Sequence, residues 1–293
     1  MPDTTPVSAP AAEARPGSVK PDPILVVDSV RRTFGGLTAV DVEHLEVQRG
    51  IITGLIGPNG AGKTTFFNLI TGFDSGGSGR FTFDGTDASG LPAHRIARLG
   101  MVRTFQLTKA LRKMTVLDNM KLAATGQRGE RFLDALAAWR WRSQDAEVED
   151  RARGLLDRFR LGHMADEYAG TLSGGQRKLL EMARALMVEP QLLLLDEPMA
   201  GVNPALVESL LEHVVELPKT GTSVLFIEHD MDVVMSVSDW VVCMAEGCVI
   251  SEGPPDAVRS DEAVIDAYLG TRHGQTRAQA EAGGQSTEAE EPA

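Results

Sequence analysis

Cysteine is nearly absent: Cys243 and Cys248 are the only two in 293 residues. Two thiols cannot complete a four-ligand zinc site, and no histidine lies near them in sequence. They read as two small apolar residues in adjacent strands, in a chain suited to a reducing compartment. Long apolar runs are also missing. The stretches 192–195 and 240–245 are among the longest, far short of the ~18 residues a membrane-crossing helix needs. The N-terminus lacks the basic start and apolar centre of a secretion signal. Nor is there a basic excess: the net charge is −12, most of it within residues 24–270. So acidic a body repels phosphate backbones at long range, which argues against a nucleic-acid partner while leaving room for a local basic site.

What is present is ordinary globular material. A hydrophobic fraction of 42% and a charged fraction of 24% supply a real core, and the length fits one large or two small domains. Residues 1–23, rich in Pro and Ala, read as a disordered leader. Residues 271–293, without Leu, Ile, Val or an aromatic, read as a disordered tail. Between them, strands are expected at 24–27, 51–56, 81–83, 192–195, 223–227 and 240–244. Helices are expected at 64–70, 176–187 and 205–217. The runs 192–195 and 224–227 are apolar at every position, as in parallel strands buried on both faces. Leu179, Leu180, Ala183, Leu186 and Met187 fall on one helical face. This alternation means α/β. Residues 107–170 depart from it and read as an inserted helical lobe, with helices at 116–124, 131–142 and 146–159.

Three segments carry chemistry. Gly57-Pro58-Asn59-Gly60-Ala61-Gly62-Lys63-Thr64 fits G-x-x-x-x-G-K-[ST] between a strand and a helix. Its glycines let successive N–H groups curl around a phosphate, and the helix start adds partial positive charge. Lys63, expected to be exposed, would reach the β- and γ-phosphates, and the Thr64 hydroxyl would ligate Mg²⁺; Thr65 follows in the same loop. The run 192–195 delivers Asp196 and Glu197 at a strand's C-terminal end, where such sheets bind ligands. Asp196 suits Mg²⁺, and Glu197 suits polarising a water for in-line attack. Ser173-Gly174-Gly175-Gln176 opens the amphipathic helix as a second anion site, Ser173 being its cap. Hydrolysis needs one phosphate cradle, so the second is economically explained by a dimer in which each chain closes over the other's nucleotide.

In this order these elements resemble the ATP-binding-cassette ATPases, over residues 24–270. The resemblance implies an α/β P-loop NTPase fold of the ABC-ATPase type: a mostly parallel sheet core, an antiparallel β subdomain and an inserted α-helical subdomain. It implies ATP and Mg²⁺ as ligands. It places Gln106 on Mg²⁺ and the attacking water, His229 on the γ-phosphate, and Ser173 to Gln176 on the partner chain's ATP. Phe34 falls where the family stacks an aromatic on adenine, the other reading being a core residue, and Val40 belongs to the same nucleotide-binding text. Asn203 stands where many members have Asp.

The segments Phe34 to Val40, Arg103 to Gln106, Met114 to Val116, Glu197 to Pro204 and Ala267-Tyr268-Leu269-Gly270 resemble the cassette subunits of branched-chain amino-acid uptake systems. Implied partners are a second cassette, as hetero- or homodimer, integral membrane permeases, and indirectly an extracytoplasmic solute-binding protein. The implied location is the cytoplasmic face of the plasma membrane, with no nucleic acid. A urea, amide or other amino-acid importer and a lipopolysaccharide-type exporter share much of this text; a soluble cassette ATPase shares less. In the extra stretch 126–146, Arg128, Arg131, Arg140 and Arg142 with Trp139 and Trp141 form either a solvated helix or a face toward lipid or permease.

Overall fold

A computed structural model describes residues 14–104, 110–124 and 138–269, without side chains for 138–143 and 205. Its centre is a six-stranded sheet built from β3 (Ile52–Ile56), β6 (Met101–Arg103), β7 (Leu192–Asp196), β8 (Ser223–Ile227), β9 (Trp240–Ala245) and β10 (Cys248–Gly253), in the order β10-β9-β3-β8-β7-β6. All pairings are parallel except that of the edge strand β10 with β9. Successive side chains of a strand point to opposite faces. Leu193 and Leu195 accordingly join one apolar cluster while Leu192 and Leu194 join the other, and β8 and β9 divide in the same way. That is why these runs are apolar throughout.

The second sheet is antiparallel, with order β2-β1-β4-β5: β1 (Pro23–Phe34), β2 (Leu37–Gln48), β4 (Ser78–Phe83) and β5 (Thr86–Asp87). It shares a core with α1 (Lys63–Ile70) and, through Ile96, with α2 (Ala93–Leu99). On the other face of the central sheet lie α3 (Val116–Ala123), α4 (Ala138–Arg158) and α5 (Gly174–Leu186), packed through Val116, Met120, Leu156, Leu180 and Ala183. The expected helices at 131–142 and 146–159 merge over their described part into α4; residues 125–137 lie outside the described residues. The question raised by the Arg and Trp side chains at 128–142 lies outside them as well. Strands β2, β5 and β6 lie outside the expected set, while β10 is the strand beside β9 that the placing of Cys243 and Cys248 in adjacent strands implies. In β2 the charged Glu46 and the polar Gln48 are buried, which breaks the apolar alternation that announces a strand.

The leader reading needs correction from residue 17 onward. Ser18 and Lys20 are buried. Lys20 Nζ pairs with Glu252 at 3.1 Å and lies 3.7 Å from the Trp240 ring centre, while the Ser18 and Lys20 amides donate to Glu252 and Glu46. A buried carboxylate is costly without a partner. Glu252 gains its cation from a segment whose composition alone reads as disordered.

Candidate nucleotide site

The phosphate loop joins β3 to α1, whose first turn has no side-chain cap. Its amides are thus left for a ligand. Two glycines are sterically required. Gly57 has φ 146°, and a Cβ there would stand 2.0 Å from the Met244 carbonyl oxygen; at Gly62, with φ 96°, it would stand 2.3 Å from that of Ala39. The loop is braced from within by Ala61 N–H donating to the Pro58 carbonyl, and from outside by Gly247 N–H donating to that of Ala61.

Lys63 is not exposed as expected. Its side chain folds back under the loop, Nζ donating to the Gly57 carbonyl at 2.6 Å and to that of Pro58 at 3.0 Å, and only 5% of the residue is accessible. Burial lowers its pKa, against the attraction of the Glu197 and Asp196 carboxylates. The ammonium is held ready for an anion in the cleft above it, about 620 Å³ in volume and lined by Ala39, Asn59 to Thr65, Glu197 and His229. Thr64 is exposed there. Val40 is not part of this wall: it is fully buried, supporting Gly62 from the core side, and its neighbour Ala39 faces the cleft. Phe34, 49% exposed at the end of β1 with the Arg32 guanidinium 4.2 Å from its ring, is not a core residue.

The carboxylates stand at the end of β7. Asp196 is buried, one oxygen paired with Arg103 at 2.6 Å; Arg103 also donates to Asn68 on α1 at 2.7 Å. Glu197 sits at φ 49°, a left-handed conformation that non-glycine residues seldom adopt, and its Oε1 lies 2.5 Å from His229 Nε2. Two groups unremarked in the sequence hold this conformation. Lys178 Nζ on α5 donates to the carbonyls of Glu197, Pro198 and Ala200, at 3.2, 3.1 and 2.6 Å. Glu228, its pKa raised by burial, accepts the amides of Met199 and His229. Neither has a motif-level signal, because each acts through the backbone of a distant segment.

Ser173 caps α5 in a reciprocal box: its Oγ accepts the Gln176 N–H and the Gln176 side chain accepts that of Ser173. Ser173 and Gly174 are exposed, and none of Ser173 to Gln176 lines the cleft. Gln106 lies outside the described residues. Among the described residues no three His, Cys, Asp or Glu side chains cluster as a metal cage. Magnesium asks for less: hard oxygen donors, one or two from carboxylates and the rest from phosphate and water. The Thr64 hydroxyl and the Asp196 carboxylate supply that donor type.

Residues 40–200 match the ABC transporter family model, and residues 248–274 match that of the branched-chain amino acid ATP-binding cassette transporter. The probable branched-chain amino acid transport ATP-binding protein LivG of Archaeoglobus fulgidus is 44% identical over 249 residues, spanning 85% of this chain and 96% of that protein. The high-affinity branched-chain amino acid transport ATP-binding protein BraF of Pseudomonas aeruginosa is 41% identical over 250 residues, spanning 85% and 98%. A crystal structure of a nucleotide-free ATP-binding cassette from an ABC transporter aligns with TM-score 0.72 at 37% identity, covering 84% of this chain and 98% of that one. The expected fold is therefore the observed one, and the chain belongs to the ABC transporter family as an ATP-binding cassette of the branched-chain amino acid branch.

Proposed function

We propose that this chain binds and hydrolyses ATP to drive import of branched-chain amino acids through membrane permeases, working with a second cassette at the cytoplasmic face of the membrane. A solute-binding protein outside would supply the amino acid. The observation that carries the reading is the Glu197–His229 pair facing the loop that holds Lys63 across one cleft. With ATP seated, the loop amides and Lys63 bind the phosphates. Glu197 accepts a proton from the attacking water, and His229 turns from Glu197 to the γ-phosphate. Thr64, Asp196 and Gln106 would hold Mg²⁺, which when bound neutralises phosphate charge. Phe34, half exposed, stacks on the adenine. Ser173 to Gln176, which lie outside the cleft with Ser173 and Gly174 exposed, complete the partner chain's site, which is why they need not approach their own.

No helix among the described residues is long and apolar enough to cross a membrane. Attachment then rests on the permeases. The test is to isolate the chain with its partners from its native membrane in mild detergent, reconstitute the complex in vesicles, and measure ATP-dependent uptake of leucine, isoleucine and valine. ATP-driven movement of urea or of a lipid instead would replace the solute assignment. A complex with no ATP hydrolysis would overturn the reading.

A further inference from the structure

The segment Ala267-Tyr268-Leu269-Gly270 distinguishes the chain's end, yet nothing in the hydrolysis reading uses it. Residues 262–269 form a final helix, seated by the buried Val264. One turn further on, the Tyr268 ring packs on the main core and its hydroxyl accepts the Gly57 N–H at 2.9 Å. Gly57 is the first residue of the phosphate loop and is separated from Tyr268 by 211 positions. Tyr268 also lies within the segment matched by the branched-chain cassette model.

The position of Gly57 gives this contact its leverage. A Cβ on Gly57 would stand 2.0 Å from the Met244 carbonyl oxygen, so the backbone here lies close against β9. Its N–H is taken by Tyr268 and its carbonyl by Lys63 Nζ at 2.6 Å. The units on either side of Gly57 are thus pinned by the C-terminal helix and by the lysine that faces the cleft. A hydrogen-bond acceptor on the amide side fixes the orientation of the carbonyl side through the intervening Cα, and the carbonyl fixes the ammonium. Burial pushes the Tyr268 hydroxyl and the nearby Cys243 thiol each up to about 12, so both stay neutral and neither competes for the Lys63 charge.

Resting on the nucleotide-binding reading, we infer that Tyr268 is a positioning residue of the phosphate loop, through which the C-terminal helix sets the affinity for ATP. Tyr268→Phe keeps the ring and its packing and removes the hydroxyl that accepts the Gly57 N–H. In the full-length chain, equilibrium binding of ATP should weaken roughly 3–10-fold, the range expected for one intramolecular hydrogen bond. In the assembled complex the loss should fall mainly on KM rather than kcat. Hydrogen exchange of the amides at 56–62 should quicken in the variant, a readout that a purely packing role leaves unmoved. Wild-type affinity and unchanged exchange at the loop, whatever the melting temperature does, would overturn the inference. Lys63→Ala serves as the reference: if it loses ATP while Tyr268→Phe binds normally, the nucleotide site stands and the positioning role falls. If the wild-type chain itself does not bind ATP, the site reading fails instead.

Discussion

The two helix starts that read alike in the sequence as anion sites are built in opposite ways. The phosphate loop is hemmed in by the main chain of two other segments, β2 at Ala39 and the β9–β10 hairpin at Met244 and Gly247, and held by Tyr268, and its lysine is folded in beneath it. The start of α5 relies on its own capping box and on one close approach, where a Cβ on Gly175 would stand 1.8 Å from Leu206. Bracing on all sides pre-organises a site so that a ligand need not order it. An exposed, self-capped start suits a surface that waits for a second molecule. On the proposed reading, one chain would hold a finished cradle and half of another.

The strongest way to break this comparison is Glu197→Gln. The substitution keeps the shape and the hydrogen-bonding capacity toward His229 but removes the carboxylate. Hydrolysis should fall about 10²–10⁴-fold, as for loss of a general base. ATP binding should survive, because Lys63 and the loop amides are untouched. With ATP uncleaved, the α5 start of one chain should stay docked on the other's nucleotide, giving an ATP-dependent dimer on size-exclusion chromatography. Lost turnover without such a dimer would show that the exposed α5 start is not half of a site. Near-normal turnover would remove Glu197 from the mechanism.

Lys63→Ala probes the finished cradle. Removing a charged donor that binds the Gly57 and Pro58 carbonyls and, on the proposed reading, faces the phosphates should weaken MgATP binding by about 1.5–3 kcal/mol, or roughly 10–100-fold. Because Lys63 is buried, the variant should also melt earlier, which a solvent-facing lysine would not predict. Isothermal titration alongside thermal melting separates the two effects. Unchanged affinity would sink the phosphate-loop assignment.

What the sequence disclosed and what it hid divide along the same line. The phosphate loop, the capped start of α5 and the strands β7 and β8 are local devices, and their residue types at fixed spacing announce them. Contacts across long separations leave no periodic trace. Arg103 and Asp196 are 93 positions apart, Lys20 and Glu252 are 232 apart, and neither pairing shows in any window of text. The burial of Lys63 is hidden from the sequence for a related reason. Lysines are mostly solvent-facing, and only the folded loop brings two carbonyls beneath it. Val40 is core while its neighbour Ala39 lines the cleft, because adjacent residues of a strand face opposite sides.

Phe34→Ala tests the cleft's rim, where bracing gives way to exposure. Stacking on a base is worth about 1–3 kcal/mol in single-strand binders, so affinity should fall between about five-fold and a hundred-fold, while Phe34→Tyr keeps it. With the side chain about half exposed, the melting temperature should barely move. Normal ATP binding with a lower melting temperature would mean that the ring serves packing instead.

The smallest effect is expected at Asn203, on the segment that joins Glu197 to α6 (Pro204–Glu216). Its side chain caps that helix, Oδ1 accepting the Leu206 N–H at 3.0 Å, and Pro204 takes the first helical position. Leu206 is also the residue against which Gly175 is pressed, so the cap fixes the floor on which the α5 start rests. Asn and Asp cap about equally well. Asn203→Asp should therefore change stability by no more than about 0.5 kcal/mol, whereas Asn203→Ala should cost about 1 kcal/mol. If capping is the residue's whole task, turnover in the assembled complex follows stability and the Asp variant behaves as wild type. If the Asp variant instead hydrolyses ATP at a different rate with unchanged stability, the carboxylate acts across the dimer. The distinction between a self-contained cradle and a borrowed one would then extend to this loop.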